Sequence, residues 1–163
     1  MKVGIITFHC AYNFGSMLQA WALQRSIEKM NHQPYIIDYR GADFNMYKLI
    51  TITRPNKFIS NLVYYGKNKK RKESFENFAS SHFQLTKRYS VRNQSRMREL
   101  SKEFDCVICG SDQIWNLDCT KGPVGPYFLD FGTDFRKVAY APSLAHASFN
   151  KKYFTDGYVT TNS

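Results

Sequence analysis

Lys2-Val3-Gly4-Ile5-Ile6-Thr7, the helical stretch opened by Gly15-Ser16, and Tyr35-Ile36-Ile37-Asp38-Tyr39 together decide the fold. Residues 2–7 are a short apolar run, the pattern of a strand covered on both faces in a parallel sheet. Phe8 to Phe14 is a polar and aromatic loop. After it, Met17, Ala20, Trp21, Gln24 and Ile27 fall near one face of a helix. Asn31-His32-Gln33-Pro34 stops that helix, because proline cannot continue it and restricts the residue before it. Residues 35–39 then form a second strand. Strand, loop, helix, turn and strand make a βαβ unit, so the expected class is α/β: a Rossmann-like open parallel sheet flanked by helices.

The rest of the chain extends this pattern. Asp105 to Cys109 predicts a third strand, and Lys137 to Ala141 a fourth, closed by Pro142-Ser143. Between the second and third strands, Phe58, Ile59, Leu62 and Val63 repeat at helical spacing. Phe75, Phe78, Ala79, His82 and Phe83 form an amphipathic stripe on a helix beginning near Glu73. His82 on that stripe reads as a packed or edge histidine. Arg92 to Phe104 predicts a shorter helix carrying Met97 and Leu100. Past Ala147 the periodicity fades, so residues 1–147 read as one domain and 148–163 as a disordered or unrelated tail.

Size and composition agree with a single domain. The chain has 163 residues, 43% hydrophobic and 22% charged, which excludes wholesale disorder. Roughly two-thirds of the unfolded surface can be buried at this size, so neither disulfides nor a metal are needed as staples. No apolar run approaches a membrane span, and the one after Met1 stops at Thr7, too soon for a signal peptide. The expected location is the cytoplasm. Four cysteines, at 10, 106, 109 and 119, do not make a disulfide framework. Cys106 and Cys109 match C-x-x-C, but within a strand their thiols point to opposite faces, and zinc would need two further ligands. They are expected to be buried structural thiols, and no metal site is expected.

The charge is uneven. There are 23 Lys and Arg against 13 Asp and Glu, a formal net charge of +10. Between Arg54 and Lys102 lie 13 basic residues, opposed only by Glu73, Glu76 and Glu99, so the whole excess belongs to this middle segment, which reads as a basic helical segment over 54–102. Its densest part is Lys67-Asn68-Lys69-Lys70-Arg71-Lys72. It reads either as a solvated surface or as a patch for a polyanion: nucleic acid, anionic headgroups or acidic glycan. No zinc finger, RNP signature or recognition-helix pattern accompanies it, so no specific nucleic-acid partner is expected.

In open parallel sheets ligands bind beyond the carboxyl ends of the strands, and two loops there have suggestive composition. In the first, Thr7 to Ser16, Asn13 and Gly15 tolerate left-handed geometry, Ser16 is placed to cap the helix, and the backbone amides suit a phosphate or carboxylate. Neither G-x-G-x-x-G nor G-x-x-x-x-G-K-[ST] is present. The second is Gly110-Ser111-Asp112-Gln113-Ile114-Trp115. Here Ser111 or Asp112 caps a turn and Trp115 is core, or Asp112 and Gln113 bind sugar hydroxyls while Trp115 stacks on a sugar face. Spacing leaves both readings open.

Ordered blocks along the chain carry a resemblance. They are Gly4 to His9, Tyr12-Asn13-Phe14-Gly15, Leu18-Gln19-Ala20, Ala22-Leu23-Gln24, Ile37-Asp38-Tyr39-Arg40, Phe75 with Phe78, Gly110 to Gln113 with Trp115-Asn116, Tyr127 to Phe131, and Ala139 to Ser143. Together they resemble the amino-terminal half of the polysaccharide pyruvyl transferases. The resemblance implies one half of a glycosyltransferase-B-like two-domain fold. It also implies transfer of a pyruvyl group from phosphoenolpyruvate to a sugar of a cell-surface or exported glycan, as a ketal. No cofactor is implied beyond phosphoenolpyruvate as donor substrate.

That chemistry needs cations for the donor's phosphate and carboxylate, and an acid to protonate its methylene carbon. In the family the histidine and arginine candidates lie in the second half, and none of His9, His32, His82 or His146 is equated with the catalytic histidine. The expectation is therefore an amino-terminal, acceptor-side domain without its catalytic partner, truncated or split from it. Asn13, Gly15, Ser16, Gly110, Ser111, Asp112, Gln113 and Trp115 are its substrate contacts, and a separate carboxyl-terminal polypeptide is a candidate partner. The alternatives are a non-catalytic basic module on an acidic glycan or the inner membrane face, with Lys67–Lys72 as the anionic-surface contact, or a decayed remnant.

Overall fold

The computed structural model describes residues 1–41, 64–120, 122 and 124–145. The helical pattern at Phe58 to Val63 and the tail at 148–163 lie outside the described residues. The elements run β1 (Lys2–Ile6), α1 (Phe14–Lys29), β2 (Gln33–Ile36), β3 (Tyr39–Arg40), α2 (Tyr65–His82) and β4 (Tyr89–Ser90). A 3-10 segment, Val91–Arg96, leads into α3 (Met97–Ser101), then β5 (Cys106–Gly110), α4 (Leu117–Thr120), a 3-10 turn at Gly125–Phe128, and β6 (Arg136–Tyr140).

Four strands form one parallel sheet in the order β2-β1-β5-β6, with Val3 opposite both Pro34 and Cys106, and Gly110 opposite Tyr140. This is the α/β, Rossmann-like arrangement the sequence predicts. Alternation along the strands divides the core into two layers. Val3 and Ile5 of β1 and Cys106 of β5 pack under α1 and α2, against Met17, Ala20, Ile27, Phe75 and Ala79. Ile6, Val107 and Cys109 face the opposite layer with Met97, Leu100, Phe104 and Tyr127. The two thiols of the C-x-x-C pair therefore lie on opposite faces, both free, and burial pushes each above its usual pKa.

Three boundaries differ from the sequence reading. Pro34 stands inside β2 rather than before it. Ile36, two residues on and of the same parity, turns its amide outward to the Gln84 carbonyl at 2.7 Å. The N–H that proline lacks therefore falls on the outer edge of the strand, where no ladder bond is broken. The strand also ends at Ile36. After a bend at Asp38, Tyr39–Arg40 pairs in parallel with Tyr89–Ser90 in a second, two-stranded sheet. The third difference is where α2 starts: it begins at Tyr65 and not near Glu73, so the lysine run and the amphipathic stripe share one helix, as the helix propensity of Lys and Arg allows.

The stripe on α2 buries Phe75 and Ala79, with Phe83 just past the helix end, while His82 stays exposed and stacks on Phe78 at 4.4 Å. The stretch 92–104 divides into the 3-10 segment and the short α3, which still buries Met97 and Leu100. On α1 the buried face includes a polar residue, Gln24. Its amide donates to the His82 carbonyl at 3.1 Å and accepts from the Gln84 amide at 2.9 Å, so burial leaves it satisfied. Among the described residues no helix is long and apolar enough to cross a membrane.

Candidate functional site

The loops that leave β1 and β5 meet at the carboxyl edge of the sheet. Asn13 is the residue that caps α1: its backbone is extended (φ −132°) and its Oδ1 accepts from the Ser16 amide at 2.8 Å. Ser16, the cap expected from the sequence, does not take that role, and neither Asn13 nor Gly15 takes the left-handed conformation; Tyr12 does, with φ 43°. The cap shifts by three residues because Ser16 has a distant partner. Its Oγ donates to Asp112 Oδ2 at 2.7 Å, ninety-six positions away in sequence, and also accepts from Asn13 Nδ2 at 3.0 Å. The amide of Ser16 is thus engaged by Asn13. An Asn13→Ala variant is expected to lose about 1 kcal/mol of stability and about 3 °C in Tm, read by thermal denaturation.

A second bridge runs parallel to the first. Ser111 Oγ donates to Gln19 Oε1 at 3.2 Å, and Gln19 Nε2 donates to Thr7 Oγ1 at 2.8 Å. Asp112 is held further by the Gln113 amide on Oδ1 (2.7 Å) and by the Ser143 amide on its carbonyl (2.9 Å), which ties in the end of β6. Gly110, at φ 111°, is buried beneath this loop, and the Gly110–Ser111 peptide is cis. The result is a half-exposed cluster of hydroxyls, amides and one carboxylate from Asn13, Ser16, Gln19, Ser111 and Asp112.

The other sequence candidates sit apart from it. Gly15 is exposed in the first turn of α1. Gln113 is exposed, and its Oε1 accepts from Asn116 Nδ2 at 3.1 Å. Asn116 Oδ1 in turn caps α4 by accepting from the amides of Asp118 and Cys119. Trp115 turns toward the core: Nε1 donates to the Tyr127 carbonyl at 3.0 Å, and the ring lies parallel on Phe128 at 5.6 Å. One face of the indole is therefore already covered by protein.

Sequence reasoning missed a buried ionic network directly beneath the first loop. His9 is 1% exposed, Asp38 3% and Arg40 9%, so none of these polar groups is solvated and each requires a partner. His9 Nε2 lies 3.1 Å from Asp38 Oδ1, and Nδ1 lies 3.2 Å from the Thr7 carbonyl. Arg40 donates from Nε to Asp38 Oδ1 at 2.8 Å and from both terminal nitrogens to Glu76, at 2.8 and 3.2 Å. Tyr12 also donates to Glu76, and Arg71 donates to the Tyr12 carbonyl at 2.8 Å.

Charge and burial compete at each member. Burial raises the Asp38 carboxyl, but contact with His9 and Arg40 outweighs it and holds the group well below the carboxylate range. Glu76 is lowered in the same way by Arg40 and Tyr12, against its own burial. Tyr12 is raised, by burial first and by Glu76 second. The network anchors the β1 loop to the bend at Asp38 and to α2, and so fixes where Asn13 begins α1. A signal was present: Asp38 interrupts the apolar run Ile36-Ile37-Asp38-Tyr39, and a buried carboxylate demands a cation.

The family model for polysaccharide pyruvyl transferase matches residues 13–158 of this chain. The chain belongs to the polysaccharide pyruvyl transferase family. No curated protein and no solved structure matches it. All the site residues named from the sequence, Asn13 to Trp115, lie inside the matched stretch, and the match runs past residue 147 to residue 158. The family is one of transferases, so in this pyruvyl transferase family member the carboxyl edge is the natural place to look for substrate contacts. Among the described residues there is no group of three or more His, Cys, Asp or Glu side chains arranged to hold a metal ion.

Proposed function

We propose that this chain forms the acceptor-side half of a polysaccharide pyruvyl transferase, contributing to pyruvyl transfer from phosphoenolpyruvate to a sugar hydroxyl pair of an exported or cell-surface glycan. The observation that carries the reading is the cross-linked cluster of Asn13, Ser16, Ser111 and Asp112 at the strand ends, within a family match of 13–158. A cluster of hydroxyls, amides and one carboxylate has the donor and acceptor balance of a sugar subsite. Asp112 retains lone pairs on both oxygens and accepts from a sugar hydroxyl, while the Ser16 contact fixes its orientation.

The cluster contains no cation, whereas the donor brings a phosphate and a carboxylate that require them. In this reading the donor-binding cations and the acid that protonates the methylene carbon come from a second domain or polypeptide. The site needs no cofactor. The test is a glycan array probed with the full chain and with Asp112→Ala, alongside phosphate release from phosphoenolpyruvate. Sugar binding weakened at least about tenfold by Asp112→Ala is expected, as for loss of a charge-assisted hydrogen bond, with no phosphate released by the chain alone. Unaltered glycan binding in the variant, or turnover of phosphoenolpyruvate by the isolated chain, would overturn it.

A further inference from the structure

We propose that the face shared by the start of α1 and the first half of α2 docks on an anionic lipid surface. Two independent features meet there. The first is an apolar groove of about 390 Å³ lined by Phe14, Met17, Leu18, Phe75 and Phe78, with Arg71 at its rim. Phe14 is 77% and Leu18 51% exposed, and they stand four residues apart on α1, so both project from the same side of the helix. Side chains of this size and exposure, side by side, mark a surface that meets something apolar.

The second feature is the cationic run. Lys67, Lys70, Arg71, Ser74 and Phe78 recur at i, i+3, i+4, i+7 and i+11, which places the lysines on the helix face that carries the groove. Lys69 is paired with Glu73 at 3.8 Å, but among the described residues neither Lys67 nor Lys70 meets a carboxylate. The first turn of α2 holds no acidic residue, and its N-cap, Tyr64, makes no side-chain cap bond. The positive end of the helix dipole thus adds to the lysine charges instead of offsetting them. An external anion relieves that self-repulsion.

The combination selects the occupant. An acidic polysaccharide would satisfy the lysines but leave Phe14 and Leu18 in water. A bilayer interface with anionic headgroups takes both, with the rings and the leucine entering the acyl boundary and the ammonium groups meeting the headgroup charge. Lysine, a mobile point charge without the fork of arginine, suits a fluid surface better than one fixed ligand. The proposal is independent of the sugar site, since it uses none of Ser16, Ser111 or Asp112.

Sedimentation of the full chain with vesicles tests it, using phosphatidylcholine alone and phosphatidylcholine with about one third phosphatidylglycerol, where a strong charge dependence is expected. Binding only to the anionic vesicles is expected, weakened about 30-fold by Lys67→Gln with Lys70→Gln. Phe14→Ser with Leu18→Gln should weaken it about tenfold even at low salt, through lost insertion. Circular dichroism checks the fold, and Leu18→Gln alone replaces the double variant if that one unfolds. Equal binding to neutral vesicles, or no vesicle binding, overturns the proposal. So does full affinity after loss of the apolar pair, or binding to heparin with vesicles ignored, either of which would assign the lysines to a soluble polyanion.

Discussion

Asp38→Ala is expected to destabilise the chain by about 3–5 kcal/mol at neutral pH, a large share of the stability of a domain this size. The carboxylate is 3% exposed and accepts from Arg40 Nε at 2.8 Å and from Arg88 Nε at 3.1 Å, with His9 Nε2 at 3.1 Å. Removing it leaves Arg40 buried with Glu76 as its counter-charge among the described residues, and takes the carboxylate away from His9 Nε2. The loss is that of a buried carboxylate shared by three cationic or ring nitrogens in a region from which water is excluded, not of one surface ion pair.

The pH dependence gives this prediction a second edge. Asp38 and Glu76 are both depressed in the folded state, so each contributes stability that is complete above the ordinary carboxylate pKa of about 4. That contribution is lost as pH falls through this range toward the lower folded-state values. Urea unfolding of the natural chain should therefore weaken from about pH 5 downward. Asp38→Ala should show a shallower acid slope, so that the gap between the two narrows as pH falls. A constant gap across that range would mean that Asp38 acts through packing alone.

The sheet was legible in the sequence because its signals are local. Val3 and Ile5 alternate with Ile6 at the period of a strand, and Met17, Ala20, Gln24 and Ile27 recur at the period of a helix, and these periods survive burial. The choice of cap was not legible. Asn13 and Ser16 are both good capping residues, and what decides between them is Asp112 on another strand, which claims the serine hydroxyl. The ionic network was hidden for the same reason. His9, Asp38 and Glu76 come from a loop, a bend and a helix, and only the topology places them together. Spacing does not decide between core and sugar platform for Trp115, because the carbonyl of Tyr127 and the ring of Phe128, partners from a different loop, engage its N–H and one of its faces.

Gly110→Ala should be the most damaging single substitution at the carboxyl edge. A Cβ at this position would lie 2.0 Å from the backbone carbonyl oxygen of Tyr140, and the residue holds φ at 111°, which L side chains rarely adopt. The blocking atom belongs to β6, paired with Gly110 in register, so it cannot turn aside as a flexible side chain would. Gly122 provides the comparison: its φ is 125°, yet among the described residues nothing lies within 4 Å of the Cβ it lacks. Gly122→Ala therefore reports backbone strain alone, about 1 kcal/mol. Gly110→Ala adds the collision and should cost about 4 kcal/mol or more. Because β5 and β6 must part for the methyl to fit, the displacement passes to Ser111 and Asp112 and breaks the Asp112–Ser16 contact, so the glycan binding proposed for that cluster should fall with stability. Denaturant titration of both variants separates the two terms. Losses within about 1 kcal/mol of each other would show that Tyr140 yields easily and that Gly110 is needed only for its backbone angle.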